Sequence, residues 1–144
     1  NLAYILLENL DCEGARTLLE AAHRGLPRNM AVKLNLGVAR RGTDDLEGAE
    51  ELYEEIEQEV DSEYRDDAIL NLAILQGDYL KEYSLAIKSF DSYLALREAN
   101  GDPVPERDPL RRYRGDWEAG QRQQDRDRAK PTEAEEAPTD GDEE

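Results

Sequence analysis

The sequence is short of several things that catalytic and membrane proteins need. It holds one cysteine, Cys12, and one histidine, His23, too few for an internal disulfide framework or a zinc cluster. No stretch approaches the ~18 consecutive apolar residues of a membrane-spanning helix, so no transmembrane segment is expected. Bases are scarce: 18 Lys and Arg stand against 35 Asp and Glu, a formal net charge of −17. That balance opposes nucleic acid as a partner, because a phosphate backbone calls for clustered Lys and Arg. There is no glycine-rich phosphate loop, no metal-ligand spacing and no carboxylate pair set apart on an apolar wall. No catalytic residue, metal ligand or cofactor is therefore expected, and the chain does not read as an enzyme. It opens on Asn1 without a basic-then-apolar leader, as a processed or excerpted sequence would, and names no compartment.

Apolar residues are present, but only in part of the chain. Leu, Ile, Val and Phe number 27 in residues 1–100, and only Val104 and Leu110 follow. Residues 1–100 can bury a core, whereas the remainder lacks the apolar area to offset a backbone ordering cost of roughly 1–2 kcal/mol per residue. Asn100-Gly101-Asp102-Pro103 marks the boundary. Residues 101–130 carry seven acids and eight bases and are expected to form a linker. Within it, Leu110, Tyr113 and Trp117 at i, i+3 and i+7 are open to three readings: a short capping helix, an unanchored tail, or a partner-binding motif. Residues 131–144 hold seven acids and no base, and are expected to be a disordered acidic tail.

Self-similarity organises the first hundred residues. Asn1-Leu2-Ala3, Asn35-Leu36-Gly37 and Asn71-Leu72-Ala73 are one phrase at spacings of 34 and 36 residues. Each is followed by a second phrase: Ala15 with Leu19 and Ala22, Ala49 with Tyr53 and Ile56, Ala86 with Phe90 and Tyr93. Apolar residues recur at i, i+3, i+4 and i+7, and none alternate, so the fold class is all-α. Helices are predicted over 1–9, 12–24, 30–42, 45–60, 64–77 and 82–98. Gly77 with Asp78 serves as a stop, and Asp44 with Glu47 as a cap and capping-box partner. Small residues such as Gly37 and Ala49 would let paired helices approach, with Tyr53 and Ile56 packing on the next pair. Between Asp44 and Asp67 lie thirteen acids and one base, which gives the fourth helix a negative outer face. That face reads either as a solvated surface or as a patch for a basic partner.

These paired phrases resemble the tetratricopeptide repeat, a helix–turn–helix unit of 34 residues. Leu36-Gly37 with Ala49-x-x-x-Tyr53 meets its signature, Leu72-Ala73 with Ala86-x-x-x-Phe90 and Leu2-Ala3 with Ala15-x-x-x-Leu19 meet it loosely, and Pro27 falls at the repeat end. Lys33 departs from the pattern's Trp, and Arg40 and Gln76 from its Tyr. The resemblance implies three repeats, about 1–29, 30–63 and 64–99, stacked into a right-handed α-α superhelix. The first copy lacks the start of its leading helix, so further repeats are expected upstream. The first helices would line a concave groove, with candidate peptide-binding residues Tyr4, Leu7, Leu34, Asn35, Val38, Arg41, Leu70, Asn71 and Ile74. The Asn side chains would either meet a peptide backbone or tie neighbouring helices together. With Arg41 as the only base in the groove, a carboxylate clamp is not expected. A neutral, basic or helical segment suits it better.

The implied function is a non-catalytic scaffold that binds a segment of a partner protein and supports assembly of a larger complex, a role such arrays fill in bacterial envelope and motility machinery among others. The alternatives are an acidic electrostatic holder for a basic partner and a non-catalytic fragment of a multidomain enzyme. His23 beside Arg24 reads as a helix-terminal charge, Cys12 as a small packing residue, and Arg114-Gly115-Asp116 as a chance adhesion tripeptide.

Overall fold

The computed structural model describes residues 11–130. Among these residues the chain is all-α, with six α-helices and no strand: α1 (Cys12–Gly25), α2 (Met30–Gly42), α3 (Leu46–Gln58), α4 (Arg65–Ile74), α5 (Tyr83–Ala99) and α6 (Arg112–Arg128). A π-helical turn over Leu75–Tyr79 prolongs α4, and a 3-10 turn over Pro109–Arg111 leads into α6. The helix expected over 1–9, with Tyr4 and Leu7, and the acidic segment 131–144 lie outside the described residues. No helix among those described is long and apolar enough to cross a membrane.

Three helices begin on a side-chain cap. Asp11 accepts from the Gly14 N–H at 2.9 Å, Asn29 from Val32 at 3.1 Å and Asp45 from Gly48 at 3.1 Å. Such caps contribute about 1 kcal/mol each. The third corrects the expectation for Asp44. The Thr43 N–H turns back onto the carbonyls of Ala39 and Arg40, so α2 ends tightly, and one residue must reverse the chain. Asp44 does so at a left-handed φ of 63°, which Asp tolerates better than most residues, and the cap passes to Asp45. Arg16 of α1 reaches this turn, donating to Asp45 and to the Thr43 hydroxyl, both at 2.9 Å.

Each helix packs mainly on its chain neighbours, with a lighter contact between α2 and α4. Three buried clusters result. Ala15, Leu19, Leu36, Ala39 and Leu52 join α1, α2 and α3. Ala49 and Tyr53 of α3 meet Leu72 of α4 and Leu75 of the π turn. Ile69 and Ala73 of α4 meet Ala86, Phe90 and Tyr93 of α5, with Val104 and Trp117 closing the end. The Tyr53 ring works inside its own pair as well as against the next: a Cβ on Gly37 would lie 2.5 Å from its Cε1. The three departures from the repeat signature each form a polar link within their pair. Lys33 pairs with Glu55 at 2.6 Å, Arg40 donates to the Gly48 carbonyl at 3.3 Å, and the buried Gln76 accepts from Ser89 at 2.8 Å.

The end of α4 departs from expectation. Gly77 does not stop the helix. The chain widens into the π turn, where Leu80 donates to the Leu75 carbonyl at 3.0 Å and Glu82 to Gln76 at 2.8 Å. The reason is Trp117. Its ring lies against Gly77 so closely that a Cβ there would sit 2.2 Å from Cε2. Its indole N–H donates to Asp78 at 2.8 Å, and its edge meets Phe90 at 5.9 Å.

Residues 101–130 are accordingly more ordered than a linker with a short cap: α6 spans 17 residues. Tyr113 stacks on Trp117 at 5.2 Å, and Tyr83 packs where Gly120 has no side chain. Val104 plugs the core while Arg111 holds its carbonyl at 2.6 Å. Of the three readings left open for Leu110, Tyr113 and Trp117, the docked helix is the one observed.

Candidate functional site

The described groove candidates come from two first helices, α2 and α4, which touch lightly. All seven are half-buried: Leu34, Asn35, Val38 and Arg41 on α2, and Leu70, Asn71 and Ile74 on α4. They are not equally available. Leu34 packs beside the Ala49–Tyr53–Leu72–Leu75 cluster, and Leu70 and Ile74 pack beside the core that α6 closes. These three supply interior contact as well as surface. Asn35 and Val38 belong to none of the three clusters.

Arg41 and Asn71 meet across the seam between α2 and α4. The Arg41 Nη1 donates to the Asn71 Oδ1 at 3.2 Å, and the Asn71 amide donates back to the Asp67 carbonyl at 2.9 Å. The Arg41 guanidinium also lies 5.5 Å from the centroid of the Tyr79 ring, a cation–π arrangement. Arg41 makes no salt bridge among the described residues, so its charge rests on an amide and a ring face. Beside it the Tyr53 hydroxyl is buried without a hydrogen-bond partner among the described residues. Burial pushes Tyr53 up to about 12, opposed by the charge of Arg41 and reinforced by Tyr79. Burial also raises the Asp67 carboxyl, with Asp66 adding to the shift and Arg97 opposing it.

The two repeated Asn residues have therefore diverged. Asn71 ties neighbouring pairs together, whereas Asn35 makes no side-chain hydrogen bond among the described residues. Tyr79 was not a candidate because Gly77-Asp78 read as a helix end. The clue was the aromatic two residues past that glycine, which the π turn brings beneath Arg41. Open clefts of about 620 and 670 Å³ lie elsewhere, one by Asn29, Met30 and Tyr64, the other by Leu94, Val104 and Arg111. Neither cleft is lined by Arg41 or Asn71.

The negative face of α3 lies apart from this seam. Ala49, Leu52, Tyr53 and Ile56 are buried, while Glu47, Glu51 and Glu54 are exposed. Glu50 is half-buried, and its carboxyl is raised by desolvation first and by Glu54, Glu82 and Glu47 in turn. Comparison with family models, curated proteins and solved structures finds no match for the chain.

Proposed function

We propose that the chain is a tetratricopeptide-like helical array that works as a non-catalytic protein-interaction scaffold, gripping an extended segment of a partner along the α2–α4 seam. The observation that carries this reading is Arg41, a cation held in place by Asn71 and Tyr79 with no carboxylate among the described residues to neutralise it. Its remaining N–H groups, together with the unengaged amide of Asn35, suit the carbonyls of a peptide backbone, and Val38 adds apolar area. Helix pairs that share cores with their neighbours support the repeat reading, since each pair is completed by the next.

The test is selection of binding peptides from a displayed random library on the full chain, followed by affinity measurement with Arg41→Gln and Asn35→Ala. Losing one charged and one neutral hydrogen bond costs about 2–4 kcal/mol, a weakening on the order of 100-fold. Unchanged affinity in the double variant rejects the seam as the binding surface.

The exposed Glu47, Glu51 and Glu54 favour a second reading, a holder for a basic partner. It requires peptides rich in Lys and Arg to be selected, with affinity collapsing between ~0.01 and ~1 M salt. Neutral peptides with salt-insensitive affinity reject it.

A further inference from the structure

Helix α6 has a second face that its docking does not use. Tyr113, Trp117, Gly120 and Gln124 turn toward α5 and the π turn, and Gln124 donates to the Lys81 carbonyl at 2.9 Å. On the opposite side Arg112, Gly115, Ala119, Arg122 and Arg126 recur at intervals of three and four, so they form one stripe, and all five are exposed. Arg112 and Arg122 make neither a hydrogen bond nor a salt bridge among the described residues. Arg126 donates to Gln123 at 2.6 Å and meets no carboxylate among the described residues. Most acids of the helix are engaged at its flanks: Glu118 pairs with Arg114, Asp125 accepts from Gln121, and Asp127 accepts from Gln123 and Lys130. Asp116 borders the stripe without a partner among these residues. A chain with a net charge of −17 thus presents a line of guanidiniums that meet no carboxylate among the described residues, with Gly115 and Ala119 leaving room for close approach.

We propose that this stripe is a docking surface for the chain's own acidic segment 131–144. Charge complementarity is the first reason: that segment carries seven acids and no base. Reach is the second. The segment begins directly after Lys130, one helical turn beyond Arg126. Its fourteen residues span up to about 45–50 Å when extended, against about 21 Å from Arg126 back to Arg112. Tethering is the third, because a linked segment faces the stripe at an effective concentration in the millimolar range, and weak contacts then suffice. The docked segment screens the arginines from other anions, and an acidic partner would have to displace it.

The experiment places a nitroxide at Asp142→Cys in the full chain, in a Cys12→Ser background, and reads paramagnetic broadening of backbone amides by NMR. At ~0.01 M salt, broadening at Gly115, Ala119 and Arg122 should exceed that on α1 and α2 about threefold, and it should vanish near ~1 M salt, where the Debye length is ~3 Å. The variant Arg112→Gln/Arg122→Gln/Arg126→Gln, with all three positions exposed, should lose the broadening while keeping the helical spectrum of the parent. Broadening absent at low salt, spread evenly over the helices, or unchanged in the triple variant would overturn the proposal.

Discussion

Among the described residues three glycines lie under aromatic rings, and two of these places, Gly37 and Gly77, differ in how the polar end of the ring is treated. Gly37 is covered by Tyr53 from the partner helix of its own pair, and the Tyr53 hydroxyl is left buried and unpaired among the described residues. Gly77 is covered by Trp117 from a separate helix 40 residues along the chain, and the indole N–H is paired with Asp78 at 2.8 Å. The first contact joins two helices adjacent in the chain and relies on area and shape. The second closes the last core cluster with a residue from outside the three phrases, and adds a hydrogen bond that aims the ring. The helix–helix contact at Gly37 thus carries an orphan polar group, whereas the docked helix satisfies its largest anchor and adds polar contacts such as Gln124 to the Lys81 carbonyl.

The largest test of that comparison is Trp117→Ala. Emptying this site should cost about 3–5 kcal/mol where α6 unfolds with the rest. It should also erase hydrogen-exchange protection over Arg112–Arg128 while α1–α3 stay protected. Retained protection in α6 would show that the anchor is not Trp117. Next come Gly77→Ala and Gly37→Ala, which force a methyl into an aromatic ring. Each should destabilise by about 1–3 kcal/mol in urea unfolding. Only Gly77→Ala should disturb the tryptophan fluorescence, so equal spectra would erase the distinction between the two seats.

Tyr53→Phe should have the smallest effect. Near neutral pH it removes an unpaired hydroxyl and should change stability by no more than about 1 kcal/mol, in the favourable direction. Its effect should grow with alkali. The folded Tyr53 is pushed up to about 12, above an unfolded value near 10. Its neutral form is therefore favoured by folding, and that contribution is intact below pH ~10 and lost as pH rises toward ~12. By pH ~11 the parent should have lost about 1 kcal/mol relative to Tyr53→Phe, measured as the difference between their urea curves. Parallel pH profiles would mean that the hydroxyl finds a partner in solution.

Much of the helical layout was legible in the sequence, because the phrases around Leu36-Gly37 and Leu72-Ala73 carry a period that only a packed helix explains. The helices predicted over 12–24, 30–42 and 82–98 match α1, α2 and α5 to within a residue at each end. What escaped was set by contacts from far along the chain. Gly77 followed by Asp78 has the form of a helix stop, and nothing local reveals that its bare Cα is needed beneath Trp117. Helix α6 buries few apolar residues, so its order comes from docking rather than from an amphipathic pattern of its own. At the candidate seam, Arg41 and Asn71 were both expected as groove residues, and the structure brings them together. Their mutual hydrogen bond and the approach of Tyr79 were not legible, since a π turn leaves no periodic mark.

The predominance of contacts between chain neighbours has a kinetic consequence. Most contacts join residues close in sequence, and the rest mainly join adjacent helices, so little loop entropy is lost before packing begins to repay it. Chains of such low contact order fold in microseconds to milliseconds. The slowest event should be the seating of Trp117, the contact that spans the longest stretch of chain among those that close the core. Stopped-flow fluorescence of that single indole would therefore report the arrival of the last helix rather than the collapse of the first.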